Sequence, residues 1–158
     1  MFRLSAQVEW ALHCCVVLSR VADGQALPAS RLAELHGVPL PYLAKALQAM
    51  SRSAIVEAVP GRNGGYRLAR DPAAISFLEI IDAIEGRATT FVCTEIRRRL
   101  PPGGQRPMPV CAIAAAMYRA EESWRTELAA TTLADIRTQL QPHPSAPHEP
   151  TPHAWTLP

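Results

Sequence analysis

The chain has 158 residues, 48% apolar and 19% charged, with four cysteines and a formal net charge of +2. A chain this long buries about 70% of its unfolded surface, so no disulfide framework is needed. No run of about 18 apolar residues occurs and Glu9 interrupts the start MFRLSAQVEW, so neither a helical membrane span nor a secretory leader is expected, and the reading is cytoplasmic.

The charge is unevenly placed. Residues 1–70 hold eight Lys/Arg against four Asp/Glu, whereas residues 71–140 hold eight against nine. The positive surplus falls on the first part of the chain, where contacts to phosphates would be made.

Ser5 is placed to cap a helix with the body AQVEWALHCCVVLSR. Val8, Leu12, Cys15 and Ser19 form its inward stripe, and Ala22–Gly24 end it. Glu9 and His13 stand four apart and share another face, their Cβ atoms about 5–6 Å apart. A second helix follows Pro28 and runs to His36, with Gly37 as its stop and Leu32, Leu35 and Val38 inward. Pro41 opens a third helix, in which Leu43, Leu47 and Met50 recur at core spacing. Pro41, Tyr42, Lys45, Gln48 and Arg52 are left on its other side.

Ile55–Val59 is rich in β-branched residues and reads as a strand. PGRNGG (Pro60–Gly65) is a tight turn, and Tyr66–Ala69 returns as a second strand. Two short helices followed by a hairpin make a helix-turn-helix with a β-wing, a shape used mainly to grip duplex DNA. Arg62 and Asn63 project from the glycine-rich tip, where a guanidinium can enter a narrow minor groove. Gly64 and Tyr66 complete the wing candidates. Pro41, Tyr42, Lys45 and Gln48 lie where a recognition helix reaches base edges and phosphates.

Ser76 and Glu79 form a capping box for a further helix, with Phe77, Ile80, Ile81 and Ile84 apolar and Gly86 as its stop. An irregular segment holding Cys93 leads to Cys111, where the longest helical pattern begins and runs to Ala130. Its stripe of Ile113, Met117, Ala120, Trp124 and Leu128, with small residues around it, suits docking on a partner helix. Thr132 and Asp135 start a short last helix. Residues 141–158 hold six prolines and three histidines without apolar period, the composition of a disordered tail. The fold expected is mainly α with a small β-wing: a winged helix-turn-helix plus a long dimerisation helix. No phosphate loop, nucleophile elbow or paired-carboxylate site is found, so an enzyme is not expected.

The pieces VEWALHCC (Val8–Cys15), LAELHGVPLPYLAK (Leu32–Lys45), GRNGGYRLAR (Gly61–Arg70), ISFLEIIDAIEG (Ile75–Gly86), FVCTEI (Phe91–Ile96) and TTLADI (Thr131–Ile136) resemble the iron–sulfur winged-helix transcription regulators of the IscR, NsrR and RsrR type. The likeness covers residues 1–140, and VEWALHCC and FVCTEI are most similar to the RsrR branch. It implies a homodimer on a pseudo-palindromic operator in double-stranded DNA. Where the common family pattern has three cysteines before the long helix, this chain has Cys93 and Cys111, which speaks against a three-cysteine 4Fe–4S site.

A 2Fe–2S centre takes two protein ligands per iron, and histidine can replace cysteine. The RsrR-like pattern implies a mixed set: Glu9 and His13 from one subunit, Cys93 and Cys111 from the other. Trp10, next to Glu9, is a candidate redox relay, with a static core aromatic as the alternative. Cys14 and Cys15 diverge on their helix and cannot chelate one centre together. The implied division is a DNA-binding domain at 1–86, a cluster-binding loop at 87–110, a dimerisation helix and short helix at 111–140, and the tail at 141–158. The function implied is a redox-sensing transcriptional regulator. The alternatives are a cluster-free repressor of the same fold and a nitric-oxide sensor with a different cluster.

Overall fold

The computed structural model describes residues 4–21, 25–87, 89–95 and 111–140. Helix α1 (Ala6–Leu18) is followed by α2 (Ala29–His36) and α3 (Leu40–Arg52), then strands β1 (Val56–Val59) and β2 (Gly65–Leu68), a 3-10 turn at Pro72–Ala74, α4 (Phe77–Glu85), α5 (Ala112–Ala130) and α6 (Leu133–Gln139). This is the winged-helix architecture expected from the pattern. The tail, and most of the segment between Cys93 and Cys111, lie outside the described residues. No helix among the described residues is long and apolar enough to cross a membrane.

Helix α1 is the centre of the packing, lying against α3, α4 and α6. It buries Val8, Ala11, Cys14, Cys15 and Leu18, a wider face than the stripe predicted, and Leu12 is only half-buried. A helix packed from several sides is apolar around most of its girth, and a single stripe then misreads it. The Ser5 hydroxyl makes no cap bond; instead the Ser5 N–H donates to Glu85 Oε1 at 2.8 Å, tying the start of α1 to the end of α4. Cys15 Sγ lies 3.4 Å from Met50 Sδ of α3 inside the core.

Gly37 ends α2 in the left-handed conformation, φ 61°, and its N–H reaches back to Ala33 and Glu34. That residue type avoids the Cβ clash other side chains would meet there. The chain turns through Val38 and Pro39 into α3, whose Leu43, Ala46, Leu47 and Met50 are buried. Leu35, expected inward, is 42% exposed: Leu32 and Ala33 take the inner face of this short helix.

The wing pairs Val56 with Leu68, Glu57 with Arg67, Ala58 with Tyr66 and Val59 with Gly65, antiparallel. Strand β1 starts one residue later than predicted, and β2 starts and ends one residue earlier. Leu27 and Tyr66 exchange both backbone hydrogen bonds, at 2.8 and 2.9 Å, so the entry to α2 docks on the wing. A Cβ on Gly65 would run into the Leu27 carbonyl, and one on Gly64 into the Val59 carbonyl oxygen. The glycine pair is therefore a requirement of close backbone approach.

The predicted capping box of Ser76 with Glu79 forms on α4, and Thr132 with Asp135, read as a helix start, forms a second one on α6. Leu133 is fully buried in the same core as α1 to α4, and Arg137 donates to the Ser19 carbonyl at 3.2 Å. Helix α6 thus folds back onto the first unit, while α5 leans on α4.

Candidate functional site

One candidate surface is the outer side of α3 and the wing. Pro41, Tyr42, Lys45, Gln48 and Arg52 are all exposed along one face of α3, opposite its buried side. Arg62 and Asn63 are exposed at the wing tip, in a turn closed by Gly64 N–H to the Gly61 carbonyl at 3.0 Å. Gly64 is half-buried, and its part is to let the turn close. Tyr66 is half-buried against the core, with its backbone committed to Leu27. The wing is braced by Arg67 Nε on Glu57 Oε1 at 2.6 Å. Arg70 anchors its base, donating to the Ala54 and Ala74 carbonyls and to Glu79. Lys45, Arg52 and Arg62 are exposed cations on this side, the charge sign that a phosphate backbone attracts.

A second group lies on α1. Glu9 and His13 are exposed on adjacent turns. The His13 ring sits 5.8 Å from that of His36, at the last position of α2. His36 Nε2 is buried with no hydrogen-bond partner, and burial, then the neighbouring His13, hold its imidazole below the usual 6.5. Trp10, next along α1, meets Tyr42 of α3 edge-on, ring centroids 6.5 Å apart. Sequence spacing did not reveal either the His36 or the Tyr42 contact, because both join residues from different helices.

The remaining candidates are at the far side of α4. Cys93 is half-buried, its Sγ 3.8 Å from Glu95 Oε1. Cys111 is half-buried at the N-cap of α5. A helix N-terminus stabilises a thiolate, and thiolates are the form that binds iron. Cys14 and Cys15 differ: both are fully buried, and burial pushes the Cys14 thiol up to about 12 and Cys15 further still. They are unsuited to ligation. Among the described residues, no three His, Cys, Asp or Glu side chains of one chain gather tightly enough to hold a metal ion. The α1 pair and the late cysteines are thus separate half-sets within a subunit, each with donors of the kinds a mixed centre uses.

Comparison with known proteins gives a consistent picture. The model of the Rrf2 family, described as iron-dependent transcriptional regulators, matches residues 4–139. Among solved structures, CymR (YrzC), the global cysteine regulator of B. subtilis, superposes with a TM-score of 0.70 at 20% identity, covering 88% of this chain and 98% of that one. IscR of T. potens gives 0.68 at 20% identity, with 87% and 88% covered. The oxidised form of S. aureus CymR gives 0.66 at 20% identity, with 86% and 96% covered.

Proposed function

This chain belongs to the Rrf2 family of transcriptional regulators, and from that premise we propose that it is a homodimeric DNA-binding regulator that senses redox state through a 2Fe–2S cluster. In this reading Glu9 and His13 of one subunit and Cys93 and Cys111 of the other hold the cluster, in the RsrR manner. The donor chemistry fits: two accessible thiols, with one at a helix N-terminus, and an exposed carboxylate and imidazole one turn apart. The cluster would supply a one-electron change of charge. The chain's own residues do the rest.

The observation that carries the proposal is the shared helix. The α1 turn that presents Glu9 and His13 also presents Trp10, which rests on Tyr42 of the outward α3 face. A small displacement of α1 would therefore move the recognition helix, and across a two-fold pair it would change the spacing of the two DNA-reading units. The second copy is supplied by α5. Ile113 is 70% exposed and Met117 42%, and Ala116 and Ala120 are exposed beside them, a face suited to close helix contact. Residues 1–86 then act as the DNA-binding unit on a pseudo-palindromic operator, with Pro41, Tyr42, Lys45, Gln48, Arg62, Asn63, Gly64 and Tyr66 as the interface, and residues 111–140 as the pairing unit.

The test is anaerobic purification of the protein and of Cys93→Ala, with iron and sulfide analysis and a visible spectrum. The expected result is two irons and two sulfides per cluster in the parent, lost in the variant. A full spectrum in Cys93→Ala removes that cysteine from the set. Operator affinity is then measured for the oxidised, reduced and cluster-free forms; equal values end the sensing proposal. A second reading is a cluster-free regulator of the same fold, which the separation of the two half-sets within one chain favours. A colourless anaerobic protein that still binds DNA would support it. A count of iron and sulfide per subunit other than that of a 2Fe–2S centre would instead favour the nitric-oxide sensor.

A further inference from the structure

Cys93 and Cys111 lie 18 positions apart in the sequence, and contacts among the described residues point to a device that directs one toward the other. Three successive contacts, one from α4 and two from the chain after it, run antiparallel along α5. Asp82 accepts two bonds from Arg125, at 2.7 and 3.1 Å. Thr90 donates from both its N–H and its Oγ1 to Glu121 Oε2, each at 3.2 Å. Phe91 meets Tyr118 edge-on, centroids 6.0 Å apart. Positions 125, 121 and 118 differ by four and three, so they form one row on α5. The row is climbed toward the N-terminus as the chain passes from Asp82 of α4 to Thr90 and Phe91 of the strap.

From Tyr118 to Cys111 is about 10 Å along the helix axis, at 1.5 Å per residue. From Phe91 to Cys93 the extended strap covers about 7 Å of that. Cys93 thus arrives within about one helical turn of the α5 N-cap. The last polar hold before the cysteine is the double bond of Thr90 to Glu121. Resting on the reading of the two cysteines as a ligand pair, we infer that Glu121 is a positioning residue: it clamps the strap so that Cys93 is presented to Cys111 before any cofactor is bound.

The clamp has a specific chemical form. Both Thr90 bonds land on one oxygen, Oε2. An amide oxygen can therefore replace it, and the carboxylate charge is not what the clamp needs. Glu121→Gln keeps the acceptor, Glu121→Ala removes it, and Thr90→Ala removes one of its two donors.

The experiment uses full-length, metal-free, reduced protein and dibromobimane, a short reagent that fluoresces when it bridges two thiols, with peptide mapping of the product. Cys14 and Cys15 are buried and stay out of the reaction. The parent is expected to bridge Cys93 to Cys111. Glu121→Ala bridges about fivefold more slowly, the factor for losing a hydrogen-bond clamp, Thr90→Ala about twofold more slowly, and Glu121→Gln within about twofold of the parent. Bridging by Glu121→Ala at the parent rate overturns the inference. So does a Glu121→Gln protein as slow as Glu121→Ala, or a parent that does not bridge these two thiols at all. Iron and sulfide content is read in parallel. A parent that takes up no iron but shows the bridging order above refutes the cluster and leaves the positioning role standing.

Discussion

The pair Asp82–Arg125 joins the DNA-binding unit to the long helix, and its strength can be worked from its surroundings. The two side chains are 16% and 23% exposed and meet through two bonds, at 2.7 and 3.1 Å. Exposed ion pairs contribute about 0–1 kcal/mol, and breaking a buried pair costs about 3–5 kcal/mol. This pair lies between those limits. If Arg125 is removed, the cation left to Asp82 among the described residues is Arg87, 3.5 Å away with its side chain 85% exposed, which water screens heavily. We therefore expect Arg125→Met to cost about 2 kcal/mol, which lowers the melting midpoint by about 4–8 °C for a chain of this length. Methionine retains most of the stem, so lost packing stays small. The assay is a double-mutant cycle of Arg125→Met and Asp82→Ala by urea unfolding, all at one protein concentration because a dimer's midpoint depends on it. A coupling of about 1.5–2.5 kcal/mol is expected. A coupling below about 0.5 kcal/mol would mean that the pair is no stronger than a surface contact, and that α5 is held to α4 by apolar packing alone.

Gly65→Ala places a methyl against the Leu27 backbone, so we expect a loss of about 2–3 kcal/mol and weaker DNA binding, because the wing must move to relieve it. Unchanged stability in thermal melting would mean that the entry to α2 yields freely. Arg62→Ala is expected to weaken binding to all duplex sequences alike and to reduce the slope of log K against log salt by about one. An unaltered slope would take the wing tip off the phosphates. Glu79 and Asp135 both titrate below their usual values of 4.5 and 3.8. For Glu79, burial opposes the shift but the Ser76 N–H and Arg70 outweigh it; for Asp135, the Thr132 hydroxyl leads and its N–H follows. Groups held low stabilise the fold above their ordinary range and lose that contribution as acid protonates them, so stability is expected to be flat near neutrality and to fall below about pH 4.5. Glu79→Gln with Asp135→Asn should flatten that acid limb in urea titrations, and an identical limb in the double variant would place the acid sensitivity elsewhere.

The parts of this molecule that were legible in its sequence are those fixed by near neighbours. A capping box needs four residues, and both formed where Ser76-Glu79 and Thr132-Asp135 stand. Gly37 needs only its own φ and the turn behind it, and it closed α2 as read. The glycine pair was read as turn chemistry, but Gly65 is also demanded by Leu27, a partner reached only through the fold. Leu35 failed for a related reason. Periodicity marks it as apolar, but a helix of eight residues buries little, and Leu32 and Ala33 filled the available room. Helix α1 failed because it is packed from several sides, so that Cys14 and Leu18 are as buried as Val8.

The candidate site divides along the same line. Glu9 and His13 share a face by helical spacing alone, and the outward row on α3 follows from the same rule. The hold of Thr90 on Glu121, 31 residues apart, follows from no period at all. One further step lies beyond both levels. Among the described residues of one chain, the α1 donors and the late thiols do not gather into one site. The same chain leaves Ile113 and Met117 outward on α5 and Val92, next to Cys93, 72% exposed. Apolar side chains at that exposure are costly to leave in water when they line a continuous face, and a second copy is the cheapest cover. If pairing on α5 also lays the Cys93 strap over the partner's α1, then dimer formation and site assembly are one event. Dilution of the metal-free protein to monomer should then abolish cluster uptake in proportion to dimer lost. Uptake that is independent of protein concentration, measured alongside the sedimentation of the same samples, would refute a site shared between subunits.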